Sequence, residues 1–138
     1  MIETRGERNR NPGNLERGNI LWQGMAHDQT DPRFVVFSDA HYGIRALARV
    51  LLSYYRKHDL DTCKQIIDRW APPSENNTGA YVNHVAQCLG VGIDAPLNVE
   101  DPETLETLTR AIIAHENGRV AYNDATIIKA VDSALEAT

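Results

Sequence analysis

Ala111-Ile112-Ile113-Ala114-His115-Glu116-Asn117-Gly118 is the stretch that decides how this chain is read. Apolar residues at helical spacing run directly into an acid, and a glycine follows. Glu116 is three to four residues on from Ile112 and Ile113, so it projects from their face. Gly118 supplies the left-handed conformation that commonly ends a helix. The pattern therefore places a carboxyl group against the interior or in a cleft, at the end of a buried helix. Burial and the negative end of the helix dipole both disfavour a charged carboxylate there. Enzymes tune a general-acid Glu to roughly 6–7 in this way. The plainer alternative is a half-exposed acid at a fraying helix end, paired with Arg119.

Working outward, the same helix begins at Asp101-Pro102, cap then proline, and carries Leu105, Leu108 and Ile112. A last helix starts near Asn123-Asp124, with Ile127, Ile128, Val131 and Leu135. Upstream, Ser38 or Asp39 caps a helix striped by Ile44, Leu47, Leu51 and Tyr55. His58 to Asp61 breaks it. Asp61 caps a shorter helix with Ile66, Ile67 and Trp70, which Pro72-Pro73 stops. After the loop Ser74 to Gly79, another helix carries Tyr81, Val82, Val85 and Leu89 and ends at Gly90. The stretch to Asn19 is rich in turn residues. Ile20-Leu21-Trp22 and Phe34-Val35-Val36-Phe37 read as a small hairpin with a long loop. The expectation is a single domain over 1–138, mainly α, with a small β hairpin near the N-terminus.

Bulk properties narrow the function. The chain has 138 residues, a net charge of −5, 42% hydrophobic and 24% charged residues, the balance of an ordinary globular domain. The charge opposes general affinity for nucleic acid or acidic membranes. Residues 42–58 and 61–70 imitate a helix-turn-helix, but the second helix offers only Lys64, Gln65 and Arg69 for base reading. Arg5, Arg8, Arg10 and Arg17 form a local basic patch suited to an anionic partner. No apolar run is long enough for a membrane span and no signal-peptide pattern is present. The expectation is synthesis in a cytoplasm, with delivery by other means if the target lies outside. Cys63 and Cys88 read as buried free thiols. No zinc spacing or phosphate-binding glycine loop occurs, and no metal or organic cofactor is implied.

Glu75 is the second candidate acid, in the loop with Asn76, Asn77 and Thr78; its plainer role is to cap the next helix. Glu3 and Glu7 rank lower, near a terminus expected to be mobile. Glycoside hydrolysis uses a protonated carboxyl and a second carboxylate, whereas some glycan lyases need only one, with a substrate hydroxyl as nucleophile. Trp22, Tyr42, Trp70, Tyr81 and Tyr122 offer apolar faces with polar tips for sugars. Core packing is the plainer role for Trp70 and Tyr55.

Arg8 to Leu15, Trp22-Gln23-Gly24, Phe34 to Phe37, Tyr42 to Leu47 and Arg69 to Thr78 together resemble small phage and prophage proteins described as virion structural or virion-associated lysozyme-like proteins. The resemblance runs nearly end to end. The Ala111–Gly118 stretch is similar to the catalytic helix end of soluble lytic transglycosylases and bacterial glucosaminidases. In the glucosaminidases an asparagine-rich segment, a Trp-x-Gly and a Phe-x-x-Tyr/Phe strand follow that helix. Here their counterparts, Asn11 to Asn14, Trp22 to Gly24 and Phe34 to Phe37, precede it. The resemblance implies a lysozyme-like fold in circularly permuted order. It also implies a peptidoglycan glycosidase, either a muramidase or a lytic transglycosylase. Glu116 would be the acid, with Tyr81 and Glu75 in support. Asn11, Asn14, Trp22, Asn76, Asn117 and Tyr122 would shape the sugar site. Glycan strands are the expected partner, and other virion proteins a further one; nucleic acid and membrane are not. The competing expectation is a non-catalytic virion or peptidoglycan-binding protein with the same fold.

Overall fold

The computed structural model describes residues 2–73 and 77–137; Glu75 and Asn76 lie outside the described residues. Its helices are α1 (Arg5–Arg8), α2 (Ala40–His58), α3 (Cys63–Trp70), α4 (Thr78–Leu89), α5 (Pro102–Asn117) and α6 (Asp124–Glu136). Each of the longer helices starts on a side chain that accepts a backbone N–H: Asp39, Thr62, Asn77, Asp101 and Asn123. Left-handed residues close three of them, Asp59 after α2, Gly90 after α4 and Gly118 after α5. The cap of α3 is Thr62 rather than Asp61. Thr62 Oγ1 accepts from Gln65 N, and the Gln65 side chain returns to the Asp61 N–H.

α2 packs chiefly on α6, and α5 lies against α4, α6 and α2. The core between them includes Leu47, Leu51, Ile66, Val85, Leu108, Ile112 and Ile127, all fully buried. Each such aliphatic side chain contributes roughly 1.5–3 kcal/mol on leaving water. Of the two cysteines, Cys63 is buried as expected. Cys88 is exposed, with its Sγ 3.7 Å from His84 Nε2, because it falls on the outer face of α4.

Ahead of α2, residues 2–39 form an arm held by side chains more than by strand pairing. The expected hairpin is reduced to two isolated antiparallel bridges, Glu16 with Phe34 and Met25 with Phe37. Ile20 and Leu21, assigned to its first strand, are 59% and 91% exposed. Side chains take the backbone groups a ladder would use. Gln29 bonds Ala26 O, Val36 O and Val36 N. The Asp31 carboxylate receives the Arg33 and Phe34 N–H groups, the Arg5 fork and the Asn9 amide. A second small core of Val35, Phe37 and Ala46, with Leu15, Trp22, Met25 and Tyr42 against it, seats the arm on α2.

The start of the chain is anchored rather than mobile. Thr4 and Glu7 form a capping box around α1. The Glu7 carboxylate accepts from Arg119 at 2.7 and 3.0 Å, just past the end of α5. Thr4 Oγ1 donates to Asn117 Oδ1 at 2.7 Å, and the Asn117 amide donates to Pro12 O at 2.8 Å. These contacts bring the arm to the C-terminal end of α5.

Candidate functional site

The end of α5 is where the arm and the helical body meet. Gly118, at φ 75°, turns the chain there with its N–H on Ala114 O. Glu116 lies in the last turn, half-buried. The Tyr81 hydroxyl, from the first turn of α4, donates to Glu116 Oε2 at 3.2 Å. Tyr81 is 2% exposed. Burial first, then the charge of Glu116 and the bond to it, push its phenol well above the usual tyrosine range, so it remains a donor. His115 stacks on the Tyr81 ring with centroids 3.6 Å apart and planes at 19°. Burial, the largest influence, lowers the His115 imidazole; the carboxylate of Glu116 opposes this and His84 reinforces it. Arg119, the alternative partner for Glu116, turns its fork to Glu7.

Glu116 opens on a cleft of about 370 Å3. Gly13, Asn14, Leu15 and Glu16 of the arm form one side. Val50 and Tyr54 of α2 with Trp70, Ala71 and Pro72 at the end of α3 form the other, and Arg33 and Phe34 complete the lining. The aromatic faces are those of Phe34, Tyr54 and Trp70. Arg5 and Arg33 both lie over Phe34, at 4.6 and 4.9 Å, and Arg69 lies over Tyr54 at 5.2 Å. A second carboxylate, Glu16, lines the cleft, gripped by the Arg33 fork at 2.6 and 3.1 Å.

Of the residues singled out in the sequence, Glu116, Tyr81 and Asn14 come together here. Asn14 has a left-handed backbone, φ 51°. Its Oδ1 is buried without a hydrogen-bond partner among the described residues. Others are placed differently. Asn11 is fully buried, its amide bonded to Leu15 O, Val35 O and Leu15 N, so it shapes the arm and presents nothing to the cleft. Asn117 spends its amide on Pro12 O, Ile113 O and Thr4. Trp22 packs in the small core beneath the arm. Tyr122 packs on the main core with its hydroxyl buried, the phenol pushed up to about 12 by burial first and then by Glu7 and Glu3. Neither Trp22 nor Tyr122 lines the cleft.

Sequence reasoning missed Glu16, Arg33, Phe34 and Tyr54; Trp70, named there as a sugar-site aromatic with core packing as its plainer role, packs on the main core and also lines the cleft. Nothing local marks Glu16 or Arg33, because their meeting depends on the Glu16–Phe34 bridge. The position of Trp70 directly before Ala71-Pro72 was a usable sign of a helix end bordering a cleft.

On the outer face of α3, exposed Lys64 pairs with Asp68, Gln65 returns to Asp61 and Arg69 covers Tyr54. Arg5, Arg8 and Arg10 border a separate hollow of about 540 Å3, where Arg5 is spent on Asp31. Among the described residues no helix is long and apolar enough to cross a membrane, and no group of three or more side chains is placed to hold a metal ion.

No family model matches the chain. It is similar to Protein P5 of Pseudoalteromonas phage PM2, with 40% identity over 121 residues, covering 86% of this chain and 74% of that protein. Identity of that level over most of both chains means a shared fold and descent, and the chain belongs to the bacteriophage protein family of Protein P5.

Proposed function

We propose that this is a phage-encoded enzyme that cuts the glycan strand of peptidoglycan, with Glu116 as its general acid. The observation that carries it is the half-buried Glu116 carboxyl, held on Oε2 by the Tyr81 hydroxyl and opening onto a cleft with Phe34, Tyr54 and Trp70 in its walls. Tyr81 fixes the carboxyl so that Oε1, which has no hydrogen bond among the described residues, meets the glycosidic oxygen. Aromatic faces suit the apolar faces of sugar rings. Asn14, in the lining of the same cleft, supplies its amide nitrogen as a donor to a sugar hydroxyl or acetamido group.

A lysozyme-like fold in permuted order is part of this proposal. The Asn117 bond to Pro12 O supports it, because it sets the asparagine-rich segment against the end of the acid-bearing helix although the chain order is reversed. Glu16 is engaged by Arg33, which favours a route needing one free carboxyl. Glu116 gives its proton to the leaving oxygen as the C1–O bond breaks. The resulting carboxylate then takes the proton of the substrate's own C6 hydroxyl as that oxygen closes on C1, leaving a 1,6-anhydro end. The enzyme would act at the cell wall, carried there by the virion or released on lysis.

The test is product release from purified Gram-negative sacculi, read by mass spectrometry, with Glu116→Gln alongside. Loss of a positioned general acid costs about 10²–10⁴-fold in rate, and that loss is expected. Equal release by the variant removes Glu116 from the chemistry. Binding of sacculi without any release by the native protein would identify a non-catalytic virion or peptidoglycan-binding protein instead.

A further inference from the structure

Successive residues on a helix point about 100° apart, so His115 and Glu116 would not ordinarily serve the same group. Here one side chain meets both. Tyr81 gives its hydroxyl to Glu116 Oε2 at 3.2 Å and its ring face to His115 at 3.6 Å between centroids. His84, one helical turn beyond Tyr81 on α4, has its ring 5.9 Å from that of His115. The exposed imidazole of α5 thus stacks on one residue of α4 and lies near another.

A tyrosine swings its hydroxyl sideways by rotation about its Cα–Cβ bond, and a flat partner lying against the ring face blocks that swing. We propose that His115 is a positioning residue of the site: its ring clamps Tyr81, so that the phenol stays on Glu116 and the carboxyl keeps one oxygen aimed into the cleft. This rests on the glycosidase proposal for its catalytic meaning, but the clamp is a property of the protein alone. A histidine present only to complement the helix C-terminus would act through its charge and would leave Tyr81 indifferent to its removal. The buried state of Tyr81 supports the clamp, since the His115 ring covers a face that water would otherwise reach.

The experiment compares His115→Ala with His115→Phe, which keeps a flat ring and removes the charge. One readout is the flip rate of the Tyr81 ring, from NMR line shapes of tyrosine labelled at Cε, its lines assigned as those missing from Tyr81→Phe. The other is kcat and KM for product release from sacculi. In His115→Ala the Tyr81 flip rate is expected to rise about tenfold or more, as the stacked ring no longer covers its face. Its kcat is expected to fall about tenfold with KM unchanged, the signature of lost alignment rather than lost binding. His115→Phe should restore the native flip rate and keep kcat within about twofold of native. An unmoved Tyr81 flip rate together with native kcat in His115→Ala overturns the clamp, as does failure of Phe to restore either. If native protein releases nothing from sacculi, the glycosidase proposal falls, and the Tyr81 flip rate alone decides the clamp.

Discussion

Asn11 and Asn14 stand three residues apart and looked alike in the sequence, yet they do opposite things. Asn11 satisfies Leu15 O, Val35 O and Leu15 N from a fully buried position. Replacing it with Ala would strand Val35 O and Leu15 N, at a cost of about 1–3 kcal/mol for each, while Leu15 O keeps the Val35 N–H. Asn11→Ala is therefore expected to lose roughly 2–4 kcal/mol in urea unfolding. Asn14 instead faces the cleft that contains Glu116. Which amide turns inward depends on where Leu15 and Val35 fall, and spacing alone does not carry that information. The placement of Glu116, half-buried in the last turn of α5, was legible because an apolar stripe running into an acid and then a glycine marks a helix end on the core side. Trp22 and Tyr122 were not, because an aromatic with a polar tip fits a core as well as a sugar site. Both pack, partly buried, against core residues and lie outside the cleft lining.

At the scale of elements, the helices were readable wherever a cap and a periodic stripe agreed, as at Asp39, Asp101-Pro102, Asn123 and Gly118. The capping box Thr4-x-x-Glu7 carried the same signal for α1 but was passed over among turn residues. The hairpin failed for another reason: β-type residues at Ile20 and Leu21 have no partner face, and side chains of Gln29 and Asp31 hold the backbone in its place. How closely the arm meets α2 is set by Gly43. A Cβ there would lie 1.9 Å from Arg10 O, and Arg10 itself is left-handed at φ 53°. Backbone cannot yield as a side-chain tip can. Gly43→Ala is expected to destabilise the protein by about 3 kcal/mol or more, measured by urea unfolding, with the arm displaced and the cleft opened.

Over the whole molecule, two buried carboxylates join distant parts of the chain, and each makes stability depend on pH. The Arg119 bonds hold Glu7 below its ordinary range, and Arg5 with the Phe34 N–H holds Asp31 far below it. A carboxyl whose folded value is depressed contributes fully above its unfolded value, near 4, and loses that contribution as pH falls through the folded one. Urea midpoints are expected to hold from pH 7 to about 5 and then drop below about 4. In Glu7→Gln that drop should be smaller, from a lower starting midpoint. The same ties have a bearing on synthesis. Thr4, Glu7 and Pro12 reach partners at Asn117 and Arg119 that are 105 to 113 positions further along the chain. Until the ribosome has delivered that far end, the opening segment can seat only on α2 and lacks its ties to the end of α5. If the protein is the glycosidase proposed above, a fragment abandoned before residue 116 contains Tyr81 but lacks Glu116, and it would leave the host's own wall intact.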